Sequence, residues 1–287
     1  MTASTLSTIA VLGSGTMGGG IAQVCALRGF NTILYDITPD IVNNGLGKIQ
    51  ASIQKGVALG KTPAEVGEAT LARLRATATL EDCAPADLVI EAAPENMDLK
   101  RDLFRRLETI LAPHTLLASN TSSLSITALA ETTQRPEQFL GLHFFNPPHL
   151  MALVEVVRGD RTSAATLQAG VEFARALGKT PVVCKDTPAF IVNRVARPFY
   201  GEALRLLGEN AADAATIDAL LKSLGFKMGP FELMDLIGID VNFAVTQSVY
   251  HAFFEDPRYR PHPIQQRMVE AGMLGRKTQR GFYLYPD

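Results

Sequence analysis

Over the first two thirds of the chain, short all-apolar runs alternate with stretches of helical period. Ile9-Ala10-Val11-Leu12 is such a run, the pattern of a parallel strand buried on both faces. It leads into Gly13-Ser14-Gly15-Thr16-Met17-Gly18, after which Met17, Ile21, Val24, Cys25 and Leu27 fall largely on one side of a helix that stops at Gly29. A second apolar run, Thr32 to Tyr35, ends in Asp36. Residues 38–76 are polar and helical in period, with Pro39 near the start and a break at Gly60-Lys61-Thr62-Pro63. Thr62-Pro63-Ala64-Glu65 has the form of a capping box with proline at the first helical position, so a helical hairpin is predicted. Short strands are expected at 76–80, 88–93, 116–119, 139–144 and 153–157, and a last one at 181–184. Helices are expected near 97–111, 123–131 and 162–178. This alternation predicts an α/β fold, a Rossmann-type doubly wound parallel sheet with an appended strand or two. After Lys185-Asp186-Thr187-Pro188 the pattern becomes helix upon helix, broken at Gly208, Gly225, Gly229-Pro230, Gly238 and 257–263. The expected division is residues 1–186 as a sheet domain, with its hairpin at about 38–76, and residues 187–287 as an all-α domain.

Composition narrows the function classes. The chain has 287 residues, 47% hydrophobic and 20% charged, enough apolar material for about two cores and too much for a disordered chain. A net charge of -2 provides no strong positive field, so no nucleic-acid partner is expected. Cys25, Cys83 and Cys184 are scattered and odd in number, which argues against a disulfide framework and a zinc site; they read as small core residues, and no metal is expected. No apolar run reaches membrane-spanning length, and the first residues have neither the basic nor the apolar region of a secretory signal, so a cytoplasmic protein without membrane attachment is expected.

The glycines sit between a strand and a helix, and a carboxylate closes the next strand. Gly13 permits the tight turn, Gly15 lets backbone approach a pyrophosphate, and Gly18 lets the helix pack on the strand. The free N–H groups and positive dipole end of the helix suit the phosphates. Asp36, 21 residues after Gly15, suits the two ribose hydroxyls and repels a 2′-phosphate, and no arginine follows it. NAD is therefore the expected cofactor.

Further reactive residues lie in Gly141-Leu142-His143-Phe144-Phe145-Asn146-Pro147-Pro148. His143 ends an apolar strand among aromatics, and its ordinary pKa suits acid–base work near neutrality. Glu155, in Leu153-Val154-Glu155-Val156-Val157, is costly to bury without a partner. If the two strands are neighbours the pair is a histidine held in one tautomer by a carboxylate. The alternatives are a core histidine bonded to backbone and an edge-strand glutamate facing water. Ser119-Asn120-Thr121-Ser122-Ser123 follows a strand at the ligand-binding edge of the sheet and either holds a substrate oxygen or caps the next helix through Ser122 or Ser123. Asn193, in Phe190-Ile191-Val192-Asn193-Arg194, is either a packing amide or a group aimed into a cleft.

Along essentially its full length the chain resembles the (S)-3-hydroxyacyl-CoA dehydrogenases, especially their single-function bacterial 3-hydroxybutyryl-CoA type. The resemblance is carried by GSGTMGGGIAQ at 13–23, EAAPEN at 91–96, SNTSSLSI at 119–126, GLHFFNPP at 141–148, LVEVV at 153–157, KDTPAFIVNR at 185–194, MGPFELMDLIG at 228–238 and GRKTQRGFY at 275–283. It implies His143 as catalytic base with Glu155 as its partner, and Ser122 and Asn193 as holders of the reacting substrate oxygen. It implies Gly13, Gly15, Gly18, Asp36, Glu95, Lys100, Ser122, Asn146 and Lys277 as NAD contacts. It also implies an acyl-CoA substrate and a homodimer formed through the C-terminal helical domain.

The chain departs from the family's common pattern in two places. Where many relatives carry closely spaced lysines that meet the phosphates of CoA, it reads Ser52 to Lys61 and keeps Lys48, Lys55 and Lys61; Lys55 and Lys61 are the expected contacts. Pro147-Pro148-His149 resembles stretches in dehydrogenases of carnitine or gulonate, which supply an alternative reading, as does a dicarboxylic substrate such as 3-hydroxyadipyl-CoA. A non-catalytic dinucleotide sensor needs the glycine turn but not Ser122, His143, Glu155 and Asn193 together.

Overall fold

The structure is a computed structural model that describes residues 6–285. The chain divides into two compact units between Thr187 and Pro188. The first unit runs β1 (Thr8–Leu12), α1 (Thr16–Leu27), β2 (Asn31–Tyr35), α2 (Pro39–Ala58), α3 (Ala64–Ala72), β3 (Leu74–Thr77), β4 (Leu88–Glu91), α4 (Met97–Glu108), β5 (Leu116–Ser119), α5 (Ile126–Ala130), β6 (Phe139–Phe144), β7 (Leu153–Arg158), α6 (Ala164–Ala176) and β8 (Thr180–Lys185). The strands form one sheet in the order β3-β2-β1-β4-β5-β6-β7-β8. β6 and β7 pair antiparallel and every other pairing is parallel. From β1 the chain moves outward to β3 and then crosses back to β4, so a crevice opens beyond the carboxyl ends of β1 and β4. Ile9, Val11, Ile21, Val24, Leu34, Ile90, Leu142 and Phe173 belong to the core cluster of this unit. Their apolar runs are continuous because the central strands are covered on both faces.

Three local features differ from the sequence pattern. First, the hairpin region ends earlier than expected. Leu74–Thr77 is an edge strand, and the strand expected at 76–80 gives way to one turn of 3₁₀ helix at Leu80–Cys83. The shift satisfies backbone groups of β2: Thr32 donates its N–H to the Arg73 carbonyl at 2.8 Å and Asp36 to that of Thr77 at 3.2 Å. Second, α3 starts after Pro63, whose ψ of 143° is extended, and no side chain caps it. The Thr62 capping box does not form. The Thr62 N–H is spent instead on the Gly56 carbonyl, closing the turn that ends α2. Third, α5 begins at Ile126 and is capped by Ser125, whose hydroxyl accepts from the Ala128 N–H at 3.1 Å. Ser122 and Ser123 do other work.

All three cysteines are reduced and buried. Burial pushes the Cys25 thiol far up. It also pushes the Cys83 and Cys184 thiols to about 12, helped by neighbouring carboxylates, Asp82 for Cys83 and Glu155 for Cys184.

The second unit comprises α7 (Val192–Gly208), α8 (Ala214–Ser223), α9 (Pro230–Ile237), α10 (Ile239–Ala252) and α11 (Pro263–Glu270), with two isolated bridges near its end, Gly275–Arg280 and Arg280–Leu284. Leu204, Ile217, Phe231, Met234, Ile239 and Met268 are in its core. Two buried aspartates fasten the last segment. Asp218 accepts from the Phe231 and Glu232 N–H groups at the start of α9 and from the Tyr283 hydroxyl. Asp235 accepts from the Phe282 and Tyr283 N–H groups and the Tyr285 hydroxyl.

Candidate active site

β1 leads into Gly13, whose φ of +103° suits a residue without a Cβ. A Cβ there would stand 2.6 Å from the Ala92 carbonyl oxygen, and one on Gly18 would overlap the Gly13 carbonyl. Gly15 is different: a Cβ on it would meet nothing within 4 Å. The turn is thus tight at Gly13 and Gly18 and open at Gly15, where a phosphate would approach. Gly15 is the N-cap of α1, and no acidic residue occupies the first turn to compete for the helix dipole. Asp36, at the end of β2, accepts from the Ser14 N–H and hydroxyl, both at 2.7 Å, through Oδ2, and from the Ile37 N–H through Oδ1. Its carboxylate is held beside the turn by the turn itself. A cavity of about 610 Å³ lies here, lined by Gly13, Gly15, Asp36, Ile37, Leu99 and Arg106 among others. Its size, the open Gly15 cradle and the carboxylate fit the adenosine and pyrophosphate parts of NAD.

The charge on Asp36 selects the cofactor. A phosphate about 4 Å from a carboxylate is repelled by about 4 kcal/mol per charge at the effective dielectric of such sites. NAD should be used on the order of a hundredfold or more better than NADP, and Asp36→Ala should erode that ratio mainly through KM. Equal use of the two cofactors by the wild type would end this assignment.

A charged network lies at the carboxyl ends of β4 and β5. Glu91, the last residue of β4, is completely buried, and so is Lys100 on α4. Lys100 Nζ donates to Glu91 Oε1 at 2.5 Å and to the Ala93 carbonyl at 3.2 Å, and lies 3.3 Å from Glu95 Oε2. Ser119 donates its hydroxyl to the other oxygen of Glu91. Glu95 Oε1 in turn collects the Thr121 hydroxyl and the N–H groups of Ser122 and Ser123. Burial pushes the Glu95 carboxyl up. The charge of Lys100 and the hydrogen bonds from Thr121, Lys100 and Ser122 outweigh it and hold the group below the usual carboxylate range. This clasp holds the Ser122 and Ser123 backbone ahead of the helix, whose cap is Ser125.

β6 and β7 place His143 and Glu155 opposite one another as a register pair. His143 Nδ1 lies 2.7 Å from Glu155 Oε2, with both residues buried. A carboxylate accepts only, so the contact assigns the hydrogen of a neutral imidazole to Nδ1 and the lone pair to Nε2. The Phe145 ring packs 4.5 Å from the imidazole. Asn120 Oδ1 accepts from the Phe144 N–H at 2.8 Å and ties the Ser119–Ser123 loop to the strand carrying His143. Asn146, three residues past His143, is exposed.

The remaining candidates fall elsewhere. Lys55 and Lys61 are exposed, Lys55 in the last turn of α2 and Lys61 in the turn beyond it. A second cavity, of about 200 Å³, is lined by Thr16, Gln23, Lys48, Ser52, Pro148 and His149. Lys48 and Ser52, one helical turn apart on α2, line it, whereas the sequence reading places the CoA phosphates on Lys55 and Lys61. Asn193 and Lys277 belong to the helical unit. Asn193 is half-buried in the first turn of α7, and Lys277 donates to Asp240 Oδ2 at 2.6 Å.

A sheet edge that pairs an open glycine turn and ribose-side carboxylate with a buried histidine–glutamate couple suits a nicotinamide-dependent oxidoreductase. Comparison with known proteins makes the class specific. Residues 8–187 match the NAD binding domain of 3-hydroxyacyl-CoA dehydrogenase and residues 190–285 its C-terminal domain. The chain belongs to the 3-hydroxyacyl-CoA dehydrogenase family, whose members are NAD-dependent enzymes. It is 49% identical, over 97% of its length, to the 3-hydroxyadipyl-CoA dehydrogenase of Escherichia coli, but spans only 59% of that longer relative. It is 45% identical to the probable 3-hydroxybutyryl-CoA dehydrogenase of Deinococcus radiodurans, covering 96% of this chain and 99% of the relative. The crystal structure of (S)-3-hydroxybutyryl-CoA dehydrogenase from Ralstonia eutropha superposes with a TM-score of 0.94 at 41% identity, covering 99% of this chain and 100% of that one.

Proposed function

We propose that the chain reversibly oxidises the 3-hydroxyl of a short (S)-3-hydroxyacyl-CoA, such as 3-hydroxybutyryl-CoA, with His143 as the base. The observation that carries this is the buried His143–Glu155 pair at the ligand-binding edge of the sheet. NAD supplies the hydride acceptor. Gly13, Gly15, Gly18 and Asp36 hold its adenosine and phosphate half; Glu95, Ser122 and Asn146 serve its other half, and Lys100, buried behind them, positions Glu95. His143 Nε2 takes the hydroxyl proton, and the Glu155 carboxylate stabilises the imidazolium that forms. Ser122 holds the reacting oxygen. The test is oxidation of NADH followed by absorbance with acetoacetyl-CoA; absence of turnover with any acyl-CoA, alongside turnover of carnitine or gulonate, would replace this reading. A second reading, a 3-hydroxyacyl-CoA with a distal carboxylate, is favoured by the 49% identity to a relative named for 3-hydroxyadipyl-CoA.

The hairpin lysines are assigned to the CoA phosphates. Because both are exposed, each contributes on the order of 1 kcal/mol at most. Replacing Lys55 and Lys61 together by Ala should raise KM for acetoacetyl-CoA several-fold, leave KM for NADH alone, and lose its effect in high salt. An unchanged KM would move the assignment to Lys48 and the cavity it lines.

The helical unit leaves Val195, Leu220, Leu224, Phe226, Val241 and Phe254 exposed, which supports assembly as a homodimer through this unit, measurable by light scattering. Among the described residues no helix is long and apolar enough to cross a membrane, which fits a cytoplasmic location.

A further inference from the structure

β6 outruns β5. The two pair from Leu117 opposite Phe139 to Ser119 opposite Gly141, while on its other side β6 stays paired with β7 as far as Phe144 opposite Val154. Beyond Gly141, then, β6 has no paired β5 residue. Phe144 is buried, and its N–H needs an acceptor from somewhere else. Asn120, the first residue after β5, supplies one with its side chain: Oδ1 takes the Phe144 N–H at 2.8 Å. Its backbone turns the other way, the Asn120 N–H donating to the Glu91 carbonyl of β4 at 2.7 Å. One residue thus spans β4 to β6 across the end of β5, and the chain can leave the sheet there to form the Ser122 loop.

Both ends of this span lie close to the chemistry. Phe144 adjoins His143, and Ser122 is two residues beyond Asn120. On the other side of the loop Glu95 fixes the Ser122 N–H at 3.0 Å. None of these bonds uses the Ser122 hydroxyl, which is left to a ligand. A substrate oxygen has to meet that hydroxyl and His143 Nε2 together. The spacing of loop and strand therefore matters to the rate, and a misplacement of about 1 Å can cost about a hundredfold.

We propose that Asn120 is a positioning residue for the hydride-transfer step, setting the distance between Ser122 and His143 through the Phe144 N–H without touching substrate. The proposal deepens the proposed function and rests on its assignment of Ser122 and His143 to the reacting oxygen.

The test is a mutant cycle with acetoacetyl-CoA and NADH. Asn120→Ala removes the acceptor, Asn120→Asp keeps it and drops the NH2 group, and each is made in the wild type and in Ser122→Ala. Asn120→Ala should lower kcat about tenfold or more and leave KM for NADH within about twofold, because the Glu95 clasp is intact. Asn120→Asp should recover most of the loss. In the Ser122→Ala background the Asn120→Ala penalty should shrink to about twofold or less, as expected of residues that act through one another. Hydrogen exchange at the Phe144 amide, which needs no turnover, should be fast in Asn120→Ala and slow in Asn120→Asp and the wild type. Should Asn120→Ala not fold, Asn120→Gln, whose acceptor sits one methylene further out, takes its place and should also lose kcat. An equal penalty in both backgrounds overturns the proposal. So does an Asn120→Asp variant no better than Asn120→Ala, which would assign the NH2 group to a ligand, and so does a lowered melting temperature with kcat unchanged. Failure of the wild type to turn over any acyl-CoA would instead sink the proposed function; the same cycle run on the compound it does oxidise, and the Phe144 exchange, still decide the role of Asn120.

Discussion

His143→Gln should fold, bind NADH with near wild-type affinity, and lose kcat by roughly a hundred- to ten-thousand-fold, the range a positioned acid–base group supplies. Gln keeps the size and a donor toward Glu155 but cannot take a proton. The split between kcat and cofactor affinity is therefore the informative readout. Glu155→Gln should lose less. It keeps an acceptor near His143 Nδ1 at 2.7 Å but removes the negative charge that stabilises the imidazolium. Steady-state kinetics with acetoacetyl-CoA, NADH titration by fluorescence and far-ultraviolet circular dichroism check the three statements separately. Near-normal turnover in His143→Gln would reduce that histidine to a packing residue.

The second large effect is on stability. Lys100→Met leaves Glu91 as a buried carboxylate with no cation, and removing one partner of such a pair typically costs about 3–5 kcal/mol. For a folding unit of this size each kcal/mol is about 2–4 °C in the melting temperature, so a fall of roughly 6–20 °C is expected. The double change Lys100→Met with Glu91→Gln should recover part of it, because the orphan charge is gone. The clasp on the Ser122 backbone also loses its lysine, so KM for NADH should rise in the single variant. A melting temperature within a degree or two of wild type would show that the pair is not fastening this edge of the sheet.

What the sequence discloses here depends on distance along the chain. The turn from β1 through α1 to Asp36 is local, and each step has its own signal: an apolar run, three glycines, a helical period, a closing acid. The facing of His143 and Glu155 is readable because an antiparallel pair brings together residues only twelve apart, and because a carboxylate in an apolar strand demands a partner. Glu91 obeys the same rule at the end of Leu88-Val89-Ile90, and its meeting with Lys100 could have been found that way. The cap of α5 could not: Ser122, Ser123 and Ser125 are chemically alike, and the helix start is held at Ser125 and Ile126 by contacts distant in sequence, Asp186 accepting from the Ile126 and Thr127 N–H groups. The capping box and the end of the hairpin were missed because Thr62 spends its N–H on Gly56 and β3 answers to β2 rather than to its own pattern. Lys48 is set apart from Lys55 by the phase of α2 relative to a cavity, and Arg197, buried in the helical unit, looks in sequence like any solvated arginine.

The burial of Cys25, Cys83 and Cys184 has a practical side. Thiolate is the form that reacts, and thiols held this high present almost none of it at neutral pH. The native chain should be nearly silent to maleimide and slow to oxidise, and with no tryptophan it is also dark when excited at the red edge of protein absorption. A single cysteine or tryptophan introduced on the exposed side of α2 or α8 would then report alone. The movement of either unit during turnover could be followed by a dye or an indole without first stripping the protein of its own background.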